Sequence, residues 1–208
     1  RDKDLAKFTG RFGGDIRTDG EGRMDFKNKN IYQGQFISEL MHGKGTMEFS
    51  DNNKYTGDWK LNRMHGEGTY SYRVEQKAEV NKVSKTVANQ GDVFNGEFAF
   101  DRRALNGTMK YADGQTYVGG WDQGQRSGAG VHTYDNGDVF AGNFLFDDRI
   151  NGVGTMDYAA TGNKYTGEWV TFKKNGKGKC TFKNGDVYDG NWIEDKFEGP
   201  GYADGKRA

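Results

Sequence analysis

One proline and one cysteine occur in 208 residues, and 30 basic side chains are balanced by 30 acidic ones. Each shortage excludes a class of protein. A lone cysteine, Cys180, builds neither a disulfide framework nor a paired-cysteine metal site, and without a signal peptide it suits a reducing, intracellular setting. Zero net charge with no basic run removes the footprint that nucleic acid requires and counts against a polybasic surface for acidic lipids. No apolar run approaches the roughly 18 residues of a membrane-spanning helix. An apolar fraction of 33% is thin for a conventional globular core of this length.

Catalytic signatures are missing too. There is no P-loop, no His-Glu-x-x-His and no Gly-x-Ser-x-Gly. His42 and His65 occupy one loop position a period apart, whereas His132 falls in an inward-facing column with Cys180, so the three histidines do not converge as metal ligands. The expectation is a protein with no metal, no cofactor and no catalytic residues.

What the chain has in excess is glycine, 33 residues, and aromatics, 14%. They stand in register. An aromatic, a glycine two positions on and a second aromatic two further recur eight times, beginning at Phe8, Tyr32, Tyr55, Phe94, Tyr117, Phe140, Tyr165 and Tyr188. A second block follows each triplet, Gly-x-Gly and then an apolar and an aromatic residue at alternate positions, as in Gly66, Gly68, Tyr70 and Tyr72. Leu105 and the stretch Gly199 to Gly205 depart from it. A fixed period in this range marks a repeat array.

Side chains along a strand alternate between faces, so both blocks put aromatics and glycines on one side, with polar residues such as Thr56, Asp58 and Lys60 on the other. Each repeat therefore reads as a β-hairpin. The fold expected is all-β: an elongated, twisted, single-layer antiparallel sheet of tandem hairpins, open-ended, with sixteen strands spanning roughly 75 Å. Bare glycines let a neighbouring ring lie flat across the backbone. Asn136-Gly137, Asn184-Gly185 and Asp113-Gly114 predict tight two-residue turns between repeats, and a longer loop, Lys60 to His65, is expected inside each repeat. The layout read from this is a lead-in at 1–7, one array over 8–204, and a further repeat or cap beginning at 205–208.

These residues resemble the MORN repeat (membrane occupation and recognition nexus), whose unit reads roughly Tyr-x-Gly-x-Trp followed by Gly-x-Gly and an aromatic. Tyr55-Thr-Gly-Asp-Trp59 with His65-Gly-Glu-Gly-Thr69 carries the likeness most clearly. The resemblance implies extended antiparallel sheets whose aromatic and glycine face accepts a partner helix or peptide. Members include ciliary scaffolds such as radial spoke head proteins, junctional membrane proteins, and targeting modules attached to enzymes. The linker from Tyr158 to Tyr165 is similar to those of axonemal members.

A non-catalytic scaffold in a cytoskeletal or axonemal assembly is thus the leading expectation. Tyr55, Trp59, Tyr117, Trp121, Tyr165, Trp169 and Trp192 are the candidate floor of a partner-binding trough. The column Met24, Met47, Met109 and Met156 reads either as core filler or as adaptable contact surface. Two other readings stand beside it: a peripheral tether for acidic lipids, and the targeting module of a larger enzyme, the chain ends at Arg1 and Ala208 reading as those of a fragment. Unpaired sheet edges add an expected end-to-end homodimer. One interval of 39 residues holds an insertion at about 73–89, for which a hairpin turning at Asn81-Lys82 and a short helix are both open.

Overall fold

A computed structural model describes residues 5–10, 19–80, 83–149, 151–203 and 206–207, with side chains over 20–73, 91–149 and 151–199. Residues 1–4 of the lead-in and 205 and 208 of the C-terminal stretch, together with Phe12 and the Asn81-Lys82 turn, lie outside these residues. Every described element is a strand, and contacts divide the chain into two compact units, Arg1–Ala112 and Asp113–Ala208.

The first unit holds β1 (Leu5–Gly10), β2 (Asp19–Phe26), β3 (Ile31–Ile37), β4 (Leu40–Glu48), β5 (Lys54–Lys60), β6 (Arg63–Val80), β7 (Val83–Ala99) and β8 (Arg102–Lys110). The second holds β9 (Thr116–Asp122), β10 (Gln125–Thr133), β11 (Val139–Leu145), β12 (Asp148–Arg149), β13 (Gly152–Tyr158), β14 (Asn163–Val170), β15 (Lys173–Thr181), β16 (Val187–Ile193), β17 (Lys196–Ala203) and β18 (Lys206–Arg207). Within each unit the antiparallel pairing runs from strand to following strand, β11 meeting both β12 and β13. No described pairing within a unit closes a barrel.

Register puts the glycines opposite one another. Gly22, Gly34, Gly45, Gly57, Gly68, Gly96 and Gly107 form one row across the first unit. The reason is steric. A Cβ on Gly68 would lie 2.4 to 2.6 Å from the Tyr55 ring, and one on Gly57 2.5 Å from the Gly68 backbone. Each tyrosine ring thus lies flat against two glycines, and its hydroxyl donates to a carbonyl three residues on: Tyr32 to Gln35, Tyr55 to Asp58, Tyr117 to Gly120, Tyr165 to Glu168 and Tyr188 to Asn191, at 2.8 to 3.1 Å. The Trp and Phe rings stand edge-on between them. In the second unit the edge-to-face series runs from Trp121 through Tyr117, Phe144, Phe140, Trp169, Tyr165 and Trp192 to Tyr188, with centroids 4.9 to 5.8 Å apart. Such pairs contribute about 0.5–1.5 kcal/mol each beyond the area they bury, so a single layer holds together without a second.

The turns differ from expectation, and the bulges explain why. In β5 and β6 the partners jump from Gly57↔Gly68 to Trp59↔Met64. His65, Gly66 and Glu67 bulge opposite Asp58, whose carboxylate accepts the Glu67 N–H at 3.1 Å. This bulge absorbs residues counted as loop, and Lys60 pairs with Arg63 across a two-residue turn, Leu61-Asn62, both at positive φ. Between repeats the turn is the longer one. Tyr134 N–H meets the Asp138 carbonyl and Gly137 N–H the Tyr134 carbonyl, a three-residue loop in which Gly137 (φ 85°) takes the left-handed position and Asn136 does not.

Side chains lock successive repeats along both rims. On the hairpin-tip rim Asn62, Asp101, Asp147 and Asp195 accept the backbone N–H of Met41, Met64, Arg126 and Lys174. On the other rim Asn30, Asn53, Asp92, Asp138 and Asn163 do the same for Ser50, Arg73, Ala112, Ala159 and Lys183. The insertion is a hairpin: β6 and β7 continue in register from Arg73↔Gln90 to Val80↔Val83, which replaces the short-helix alternative.

Candidate partner-binding site

Tyr55, Trp59, Tyr117, Trp121, Tyr165, Trp169 and Trp192 all lie on the aromatic face, and all are buried, 0 to 5% exposed. Their polar tips are engaged internally. Besides the tyrosine bonds above, the indoles of Trp59, Trp169 and Trp192 donate to the carbonyls of Gly45, Gly154 and Gly178 at 2.9 to 3.1 Å. Burial raises the hydroxyl pKa of Tyr55 and Tyr165 well above the ordinary tyrosine value. These rings carry the sheet.

The accessible rings of this face include the aromatics of the second blocks. Phe49, Tyr70 and Tyr72 in the first unit and Tyr134, Tyr158 and Phe182 in the second are partly exposed. Phe49 packs on Tyr70 at 5.7 Å and Tyr70 on Tyr72 at 4.5 Å. Burial, ahead of the nearby Asp195 charge, pushes Tyr158 up to about 12.

Beside these rings runs a column at the start of each returning strand, and its chemistry changes along the chain. It holds Met41, Met64 and Arg103 in the first unit, and Arg126, Arg149, Lys174 and Phe197 in the second. Every cation in it sits on rings. Arg103 lies over Phe94 at 5.7 Å and Arg126 over Tyr117 and Phe144 at 5.5 and 5.2 Å. Arg149 is surrounded by Phe140 (4.7 Å), Phe172 (5.0 Å), Trp169 (5.6 Å) and Tyr134 (6.0 Å). Lys174 meets Trp192 (4.7 Å), Tyr158 (5.3 Å) and Tyr165 (5.6 Å). A long cationic side chain covers ring area as methionine does, and its charge is attracted to the ring faces.

His132 belongs to the same network. Its Nδ1 lies 2.8 Å from Arg126 Nη1 and its Nε2 2.9 Å from Gln115 Oε1, which fixes a neutral ring protonated on Nε2. Burial first, then the charges of Arg126 and Arg149, lower its pKa to about 4. Cys180, in the corresponding inward position, is buried, and burial raises its thiol pKa.

Sequence reasoning put the second-block aromatics Tyr134, Tyr158 and Phe182 on this face but did not choose them as its partner-binding residues, and it did not place Arg126 or Arg149 there. The signal was present as a basic residue recurring two or three positions before the Gly-x-Gly pair from Arg103 onward, one period apart. On the opposite, polar face of the first unit an open groove of about 500 Å³ is lined by Gln33, Lys44, Thr46, Thr56, Thr69 and Asn95. Its groups satisfy one another: Thr46 with Thr56 at 3.1 Å, Thr69 with Asn95 at 3.4 Å, and Lys44 with Asp58 at 2.6 Å.

Tandem antiparallel hairpins with glycine rows under tyrosine rings define the class as a β-hairpin repeat protein. The MORN repeat matches residues 32–54, 55–74, 117–139, 165–187 and 188–206, more than half of the chain, which therefore belongs to the MORN-repeat family. All five matched units begin with tyrosine, whereas the copies beginning at Phe8, Phe94 and Phe140 lie outside the match. Phe94 and Phe140 nevertheless occupy the tyrosine position in register and are buried. No curated protein sequence matches the chain. Among solved structures it is similar to the SAS-4 TCP domain of Drosophila melanogaster in complex with a proline-rich motif of Ana2, at 13% identity over 91% of this chain and 100% of that one, TM-score 0.48. It is also similar to the TCP10 domain of Danio rerio CPAP in complex with a STIL peptide, at 9% identity over 89% of this chain and 84% of that one, TM-score 0.32.

Proposed function

We propose that the chain is a non-catalytic scaffold that docks a helix or extended segment of a protein partner along the aromatic face. One observation carries this reading. The second-block rings, Phe49, Tyr70 and Tyr72 in the first unit and Tyr134, Tyr158 and Phe182 in the second, lie on the aromatic face of their own unit and remain partly exposed, while each unit already holds itself together through the triplet rings beneath. Periodic, rigid, half-covered aromatics are the anchors that peptide recognition uses. By family resemblance alone the setting is intracellular, in a cytoskeletal or axonemal assembly.

Crosslinking mass spectrometry on the native assembly tests it, using Lys174 beside Tyr158. Reproducible links from Lys174 to one partner protein are expected, and replacing Tyr134 and Tyr158 by serine removes them. Links confined to this chain, with the protein recovered in membrane fractions, would overturn the reading in favour of a lipid tether.

A further inference from the structure

Some cations on the strand faces of this sheet have acids: Arg23 meets Asp25, Lys44 meets Asp58, Lys54 meets Glu48 and Lys164 meets Asp157, at 2.6 to 3.2 Å. Within the ring-covering column Arg126 also has one, Asp147 at 3.3 Å. Arg149 and Lys174 are different. Among the described residues no carboxylate pairs with either, although four rings fix the guanidinium and three the ammonium. Arg149 Nη1 is in addition buried without any acceptor. A charge-bearing donor held away from water and left unpaired is costly, and methionine fills the same position in Met41 and Met64 without that cost. Covering the rings does not by itself explain the buried Arg149 donor, and the Lys174 ammonium next to it along the column also has no carboxylate among the described residues.

We infer that Arg149 and Lys174 form a two-cation clamp for an acidic segment of the docked protein partner. This rests on the reading of the aromatic face as a docking surface. The two residues begin returning strands separated by β14, two strand spacings or about 10 Å apart, so a segment with carboxylates at that interval meets both. Tyr134 and Tyr158, each under one of the cations, supply ring surface to the segment between the charges. The enclosed Nη1 holds the Arg149 guanidinium in place, and a carboxylate meets the part of the side chain that stays exposed. Charge-assisted bonds of this kind are the strong ones, and rings that exclude water strengthen them further.

Dodecaglutamate is the probe, with dodecaglutamine as its neutral control. Trp169 and Trp192 lie 5.6 and 4.7 Å from the two cations, so indole fluorescence reads occupancy directly. Dodecaglutamate should produce a saturable change that weakens with salt, and dodecaglutamine none. Arg149→Met with Lys174→Met, which restores the residue type of the first unit, should weaken binding about tenfold or more, with unfolding transitions recorded to show that the variant is folded. Arg149→Lys with Lys174→Arg, which keeps both charges, should retain most of the binding. No saturable change with dodecaglutamate, equal affinity in the double methionine variant, or binding to phosphatidylserine vesicles without binding to the peptide would each overturn the clamp. Partner crosslinks at Lys173 and Lys177 that survive Arg149→Met/Lys174→Met would sink the clamp and leave docking standing, whereas their absence from the unaltered protein would sink docking itself.

Discussion

The two units build one frame and finish it differently. In Arg1–Ala112 the column over the rings begins with methionine, Met41 and Met64, and the row beside the glycines on the opposite face is polar, with Gln33, Thr46, Thr56 and Thr69. In Asp113–Ala208 the column opens with Arg126, Arg149 and Lys174 before Phe197, and the opposite row opens with Val118, Val131 and Ala141, the two valines 53 and 42% exposed. The glycine rows, the ring series and the rim bonds are the same in both. The frame asks only that something long cover the rings, so the covering column is free to vary and to carry specificity.

Breaking the frame should cost most, wherever it is done. Gly68→Ala puts a methyl 2.4 Å from the Tyr55 ring, with no room for that ring to retreat from its hydroxyl bond to Asp58. A loss of about 3 kcal/mol is expected in denaturant unfolding. Gly128→Ala in the second unit meets nothing within 4 Å and bears only the positive φ of 78°, so about 1 kcal/mol is expected there. Equal losses at the two positions would remove steric fit as the reason for the glycine rows.

The next contrast depends on pH. His132 takes the position that Met47 and Met156 hold in their repeats, and its folded pKa, about 4, lies below the ordinary 6.5. The unfolded chain therefore binds the proton first as pH falls, and stability drops below pH 6.5 until the folded ring also protonates near 4. Between pH 7 and 5 that amounts to about 2 kcal/mol. His132→Met should abolish this component. An unchanged pH profile in the variant would show that His132 is not the group responsible.

Much of the frame was legible because its signals are local and periodic. Tyr55, Gly57 and Trp59 at alternate positions dictate a strand with one aromatic face, and glycine opposite ring follows from antiparallel pairing. The turns were not legible. Leu61-Asn62 lacks the glycine that normally follows asparagine in a two-residue turn and puts leucine at the first position, and the bulge at His65 to Glu67 that shortens it depends on Asp58 across the strand. The candidate surface was legible only in part. Composition marked the aromatics, but exposure depends on which ring sits under which, and this separates buried Trp59 and Trp169 from accessible Tyr134 and Tyr158. The cations over the rings were hidden by a neutral total charge, which conceals where individual charges lie.

A smaller effect separates tyrosine repeats from phenylalanine repeats inside one unit. Tyr165 donates to the Glu168 carbonyl at 2.9 Å, while Phe140, in the same position of the preceding repeat, has no hydroxyl to do so. Tyr165→Phe should cost about 1 kcal/mol. A loss below a few tenths would mean that the repeat tolerates either ring, and that ring packing alone sets its stability.

The smallest expected effect has the opposite sign, and it bears on why the two-residue turns carry the residues they do. Phe146 sits at the first turn position with φ 51° and is 63% exposed; Leu61 and Phe100 repeat this in the first unit at 52° and 49°. A bulky side chain gains nothing from that backbone region, where asparagine is at home, and an exposed phenylalanine buries little in return. Phe146→Asn should therefore stabilise the chain by about 0.5 kcal/mol in denaturant unfolding. Leu61→Asn should do the same in the first unit, where the neighbouring column is methionine. If Phe146→Asn also weakens partner crosslinks at Lys173 while Leu61→Asn does not, the strain at Phe146 is retained for docking beside the cation column, and recognition is confined to the second unit. Equal weakening by both would spread the docking surface over the hairpin tips of both units and leave the cations as one part of it.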